Sequence, residues 1–133
     1  MGRGTFLDDA EVRRRDASRM VDLLRRLPGL RLVSLPSGGS AVATGIPPST
    51  NQLAMIARWE STGEIFQPAC YLQVYLDGSR MWGWSDQPPI DVNTFDPSTV
   101  GAIELYKSAA ETPPEWNATG SVCGTIAFWT RRR

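Results

Sequence analysis

The stretch Val74-Tyr75-Leu76-Asp77-Gly78 decides how this chain folds. Residues 70–76 carry β-branched and aromatic side chains, as a strand on a half-buried sheet does. The Asp-Gly pair after them is a strong hairpin signal, because a type I′ turn needs positive φ at both central positions. Asp77 and Gly78 are therefore read as a structural turn, with the return strand running from Arg80 to Trp82. Downstream, Asp96 suits a cap for a short helix with Pro97 at its first position, Ala102 to Lys107 reads as a buried strand, and residues 125–130 form the last strand. Arg131 to Arg133 are its charged end.

Upstream of the hairpin the pattern changes period. Asp8, Asp9 and Glu11 make an acidic first turn for a short helix ending near Arg15. Ser18 suits the cap of a second helix, in which Met20, Leu23, Leu24 and Leu27 recur at helical spacing until Pro28 and Gly29 stop it. This stripe is read as core packing, and the Arg13 to Arg15 run as a solvated helix face. Leu30 to Leu35 reads as a strand, Ala41 to Thr44 as a second, and residues 53–59 as a third candidate strand. The sum is an α+β domain, a mixed β-sheet with short helices packed on it. Residues 1–15 are expected to be a loose lead-in and residues 16–133 the domain itself.

Composition narrows the function classes. The 133 residues suit one domain, and 14 basic against 14 acidic residues leave no net charge to recruit a polyanion, so nucleic acid is not expected as a partner. Nearly all the basic residues are arginine, Lys107 being the sole lysine. No apolar run reaches the ~20 residues of a membrane-spanning helix, and Met1 to Thr5 carry no apolar segment of an export signal, so any such signal is expected upstream. Cys70 and Cys123 are either a disulfide, as an oxidising compartment would allow, or two buried thiols. With no histidine and only these cysteines, neither a metal site nor a cofactor is expected.

For ligand binding the sequence offers its tryptophans. Residues 82–89 read as a long loop presenting Trp82 and Trp84, and with Trp59 and Asp86 they are the candidate ligand-binding residues. Indoles on loop tips suit stacking on sugars, aromatic ligands or a protein partner. The competing reading is that Trp82 and Trp84 cover the sheet edge. Catalysis would fall to Asp77, Asp86, Asp91, Glu104, Glu111 or Glu115, or to Cys70 as nucleophile, but none has a recognisable partner. Turn geometry explains Asp77 and a strand-end ion pair with an arginine would explain Glu104, so no catalytic residue is assigned and the chain is read as a non-enzyme. A third reading is an interaction module adding a strand to an exposed edge at residues 125–130 or 53–58. Asn117-Ala118-Thr119 matches a glycosylation sequon, and Gly38-Gly39-Ser40 is a turn without the lysine of a phosphate loop.

Four phrases in order, the helix ending Leu27-Pro28-Gly29, the Val74 to Gly78 hairpin, Ala102-Ile103-Glu104-Leu105-Tyr106-Lys107, and Cys123 to Arg131 closing through Phe128-Trp129-Thr130, resemble the plug domain of TonB-dependent outer-membrane receptors. The resemblance covers about residues 16–132 and departs where Lys107-Ser108-Ala109 stand in place of the family's Arg-Gly-Pro, and where no Arg-Gly phrase follows the second strand. It is similar to a shorter, cysteine-containing plug-like variant without a barrel. The resemblance implies that the closing strand lies beside the Asp-Gly hairpin. It also implies a periplasmic or outer-membrane setting, a β-barrel or other envelope protein as partner, and substrate contacts on loop tips, where the indoles suit a small ligand such as a carbohydrate.

Overall fold

The computed structural model describes residues 4–117 and 123–131. In chain order its elements are β1 (Thr5–Leu7), α1 (Asp9–Arg15), α2 (Met20–Leu24), β2 (Arg31–Ser34), β3 (Ser40–Thr44), α3 (Thr50–Trp59), β4 (Cys70–Tyr71), β5 (Gln73–Leu76), β6 (Ser79–Trp82), β7 (Val100–Tyr106) and β8 (Thr125–Thr130). Short 3-10 turns lie at Val92–Thr94, Pro97–Thr99 and Pro114–Trp116. Met1 to Arg3, Ala118 and Thr119 of the sequon, Arg132 and Arg133 lie outside the described residues.

Asp77 and Gly78 take φ values of 51° and 87°, as a type I′ turn requires, and fold β6 back antiparallel on β5. The hairpin is one side of a five-stranded sheet in the order β1-β7-β8-β5-β6, in which only β5 and β8 run parallel. The closing strand therefore lies directly against the Asp-Gly hairpin. Its far end is anchored there by the turn residue itself: the Thr130 N–H and hydroxyl donate to the two oxygens of the Asp77 carboxylate, each at 2.8 Å.

A second sheet, β2-β3-β4, is antiparallel throughout. β4 and β5 are nearly one strand, divided at Leu72, where the chain changes sheets: the Leu72 N–H donates to Val42 of β3 and the Gln73 N–H to Gly124 beside β8. A disulfide between Cys70 and Cys123 staples this crossing, tying the small sheet to the start of β8. Gly124 fits because of its missing side chain; its φ is +106°, and a Cβ there would lie 2.1 Å from the Tyr106 carbonyl oxygen.

Between the sheets and helices lies the core. Ile103, Leu105, Ile126, Phe128 and Val74 point from one face of the large sheet toward Met20, Leu23 and Leu24 of α2 and Val42 of β3, all buried. Each such side chain contributes about 1.5–3 kcal/mol by leaving water.

Four expectations are corrected. Residues 53–59 are helical, not extended: Ser49 and Gln52 form a reciprocal capping box that starts α3, and the buried positions Gln52, Ile56 and Trp59 have helical spacing. Ser18 caps nothing in α2, which begins after Arg19 with no side-chain cap; the Val21 N–H instead donates to Asn93 at 3.2 Å. That helix also stops at Leu24, so Leu27 reaches the core from a turn. Finally, the lead-in is not loose over its described part, because β1 pairs with β7 and Asp9 of α1 accepts from the Arg131 guanidinium at 2.7 Å.

That last contact holds the Asp9 carboxyl below its ordinary value, chiefly through hydrogen bonds from Arg131 and then Arg13. A lowered folded pKa means that its contribution is present above the unfolded value of 3.8 and is lost as pH falls through the folded one. Acid titration followed by circular dichroism is expected to show a smaller loss of stability below pH 3.8 in Asp9→Asn than in the parent chain.

The crossing at Leu72 yields a second expectation. Cys70 and Cys123 are 53 residues apart, so replacing both with alanine is expected to remove about 4 kcal/mol of unfolding free energy in urea titrations. Gly124→Ala is expected to remove on the order of 2–4 kcal/mol, since a positive φ and a backbone clash combine.

Candidate functional site

The tryptophans expected at loop tips are brought together, but inside. Trp59 ends α3 and Trp82 ends β6, and they are 4% and 5% exposed. Trp84 stacks on Trp59 with centroids 5.3 Å apart and an interplanar angle of 24°, and Trp82 meets both. Tyr71 completes the cluster, its hydroxyl donating to the Gln67 carbonyl and burial pushing its pKa up to about 12.

Each of these indole N–H groups is used by the backbone of the chain. Trp59 donates to Ser85, Trp82 to Gln87 and Trp84 to Tyr71, each at 2.9 Å. The segment read as an open loop is thereby pinned to α3, and the ring faces that would stack on a sugar are occupied by one another. Asp86 is the exposed member, pairing with Arg58 at 3.1 Å with its side chain 77% exposed. The reading of Trp82 and Trp84 as exposed indoles is corrected accordingly, Trp82 being buried and Trp84 half-buried: aromatic area of this size is stabilised by mutual packing rather than left in water.

Three further carboxylates have structural partners. Asp91 accepts from the N–H groups of Ser40 and Asn93, holding the Gly38-Gly39 turn against Val92–Thr94. Glu111 accepts from the Lys107 N–H at 3.1 Å. Glu104 is corrected: it makes no ion pair with an arginine among the described residues, but accepts from the Trp129 indole at 2.6 Å and from the Tyr106 hydroxyl. Cys70 is in the disulfide and is not a thiol.

A cavity lies on the outer face of the large sheet, opposite the core. Alternation along β7 and β8 puts Glu104, Tyr106, Ala127 and Trp129 on this face, with Tyr75 from β5 and Phe6 from β1. Trp116, in the turn Pro114–Trp116, folds over them, stacking on Tyr75 at 4.9 Å and lying 6.1 Å from Trp129. Behind it the Gln73 amide donates to the Trp116 carbonyl at 2.6 Å and to the Thr125 hydroxyl at 2.7 Å, fixing the turn to the sheet.

This half-open space is about 690 Å³, walled by Phe6, Tyr106, Trp116 and Trp129 and edged by Glu104, Glu111 and Glu115. Burial and then the hydrogen bond to Glu104 keep the Tyr106 hydroxyl well above its ordinary pKa, so it remains a donor. Sequence reasoning misses this site because residues 102–107 read as a buried strand and residues 125–130 only as the last strand, with no register between them. Their alternation, read strand against strand, would have placed an acid and two aromatics on one face.

Two edge-pairing surfaces are removed. β8 is hydrogen-bonded on both sides, to β7 and to β5, and residues 53–58 are helical, so neither offers an open strand.

No family model and no curated protein matches the chain. Solved structures do. The ferric enterobactin receptor PfeA from Pseudomonas aeruginosa superposes at a TM-score of 0.58 with 15% identity, covering 98% of this chain and 17% of that one. The ferric yersiniabactin uptake receptor FyuA from Yersinia pestis does so at 0.54 with 17% identity, covering 97% of this chain and 17% of that one. The copper transporter OprC gives 0.57 with 17% identity, 98% and 17%. The chain thus spans about a sixth of the length of these proteins. With Trp59 and Trp82 buried and Trp84 half-buried against them, a carbohydrate ligand loses its support.

Two substitutions separate packing from ligand contact. Trp59→Ala is expected to cost about 3–5 kcal/mol in urea unfolding, as removal of a buried aromatic does. Asp86→Ala, which removes only an exposed ion pair, is expected to stay within about 0.5 kcal/mol.

Across nearly its whole length this chain carries the fold that the order of its motifs implies, that of the plug region of TonB-dependent siderophore and copper receptors.

Proposed function

We propose that the chain is a non-enzymatic, plug-type module of the cell envelope that docks with an outer-membrane β-barrel and serves ligand uptake there. The observation that supports this most is the superposition of almost the entire chain on receptors and a transporter. A barrel is the natural partner for such a module, since strands cross lipid only as a closed cylinder and a wide cylinder needs filling. The Cys70–Cys123 bond agrees with an oxidising compartment such as the periplasm. Four of the carboxylates considered for catalysis, Asp77, Asp91, Glu104 and Glu111, have turn, cap and strand partners instead, which favours a binding role over a chemical one.

Fractionation of the source cells tests this. An antibody raised against the purified chain is expected to detect it in the outer-membrane fraction, within a complex or polypeptide that contains a β-barrel. There it is expected to resist thiol alkylation until a reductant is added. Recovery in the cytosol with both thiols free would overturn the proposal.

A further inference from the structure

We propose that the outer-face cavity between Trp116 and Trp129 is a binding site for an organic ammonium compound. The inference stands on the cavity alone and does not depend on docking to a barrel. About 690 Å³ lies within the range of small-molecule sites, roughly 300–1,000 Å³. Its walls are Phe6, Tyr106, Trp116 and Trp129, and such aromatic surfaces attract a soft cation through their negative faces. Phe6 is 51% exposed, an apolar ring on a three-residue edge strand that packs edge-on against Tyr106 and leaves about half of its surface open.

The charge around the cavity has one sign. Glu104, Glu111 and Glu115 line it with no arginine or lysine among the described lining residues, and none of the three makes an ion pair among the described residues. Glu104 accepts one hydrogen bond on each oxygen, from Trp129 and Tyr106, which leaves acceptor capacity and an uncompensated negative charge at the cavity edge. These donors also fix the two rings around the carboxylate. A bare metal ion fits less well, because among the described residues no three acidic or cysteine side chains converge closely enough to share one. Anions are repelled, and neutral apolar ligands would forgo the carboxylates.

Titration with choline, read by the indole N–H signals of a ¹⁵N-labelled chain, tests the site. Choline is expected to move the Trp116 and Trp129 signals saturably and leave those of Trp59, Trp82 and Trp84 in place. The uncharged tert-butyl isostere of choline is expected to bind about tenfold more weakly. Glu115→Gln, at an exposed position, is expected to weaken choline about two- to threefold, and Glu104→Gln about tenfold. Equal binding of choline and its isostere, shifts confined to the buried tryptophan cluster, or no saturable shift at tens of millimolar would each overturn the proposal. So would unchanged affinity in both glutamine variants, provided their spectra retain the parent fold.

Discussion

β8 is held parallel to β5 from both of its ends, and most of the molecule is arranged around that pairing. At one end the Cys70–Cys123 disulfide joins the residues just outside the pair, and at the other the Asp77 carboxylate takes two hydrogen bonds from Thr130. A parallel pair cannot close through a tight turn, so the chain between these strands has to leave the sheet and return. The excursion supplies β6, the Trp82–Trp84 segment, β7 and the Trp116 turn. The last strand enters at the centre of the sheet, between β7 and β5, and sequesters its own backbone from outside partners.

Placing β8 centrally gives the sheet two faces with different work. The inner face carries Ile103, Leu105, Ile126 and Phe128 into a core shared with α2 and the small sheet. The outer face carries Tyr75, Tyr106, Ala127 and Trp129 and is only partly roofed by Trp116. Alternation along each strand makes this division unavoidable once register is set, because a shift of one residue would send every core side chain to the wrong side. The same register puts Glu104 between Tyr106 and Trp129, where its charge is held by neutral donors rather than by a cation. The disulfide and the Asp77 anchor thus fix the register that assembles the outer cavity.

What the sequence disclosed follows the range of the interactions involved. The Asp-Gly turn, the acidic start of α1 and the Pro97 turn depend on residues within a few positions, and all appear where local chemistry puts them. The capping box at Ser49 and Gln52 is equally local, and residues 53–59 are mostly the strong helix formers Leu, Ala, Met and Arg, so this helix was legible in the sequence and the strand reading overlooked it. Ser18 failed as a cap because Asn93, far away in the chain, supplies the acceptor near Val21. The tryptophans mislead for the same reason: indoles in a proline-rich segment look exposed until the partner helix that covers them is in place. The order of motifs carried the overall fold further than any single segment did, since order constrains which strands can become neighbours. The outer-face cavity needed cross-strand register and was therefore out of reach of a linear reading.

The parallel pairing of β8 with β5 can be observed directly by nuclear Overhauser contacts between backbone protons of a labelled chain. The structure predicts contacts in parallel register, with Val74 opposite Ile126 and Leu76 opposite Phe128. Antiparallel contacts between these strands, or none at all, would contradict the account at its centre.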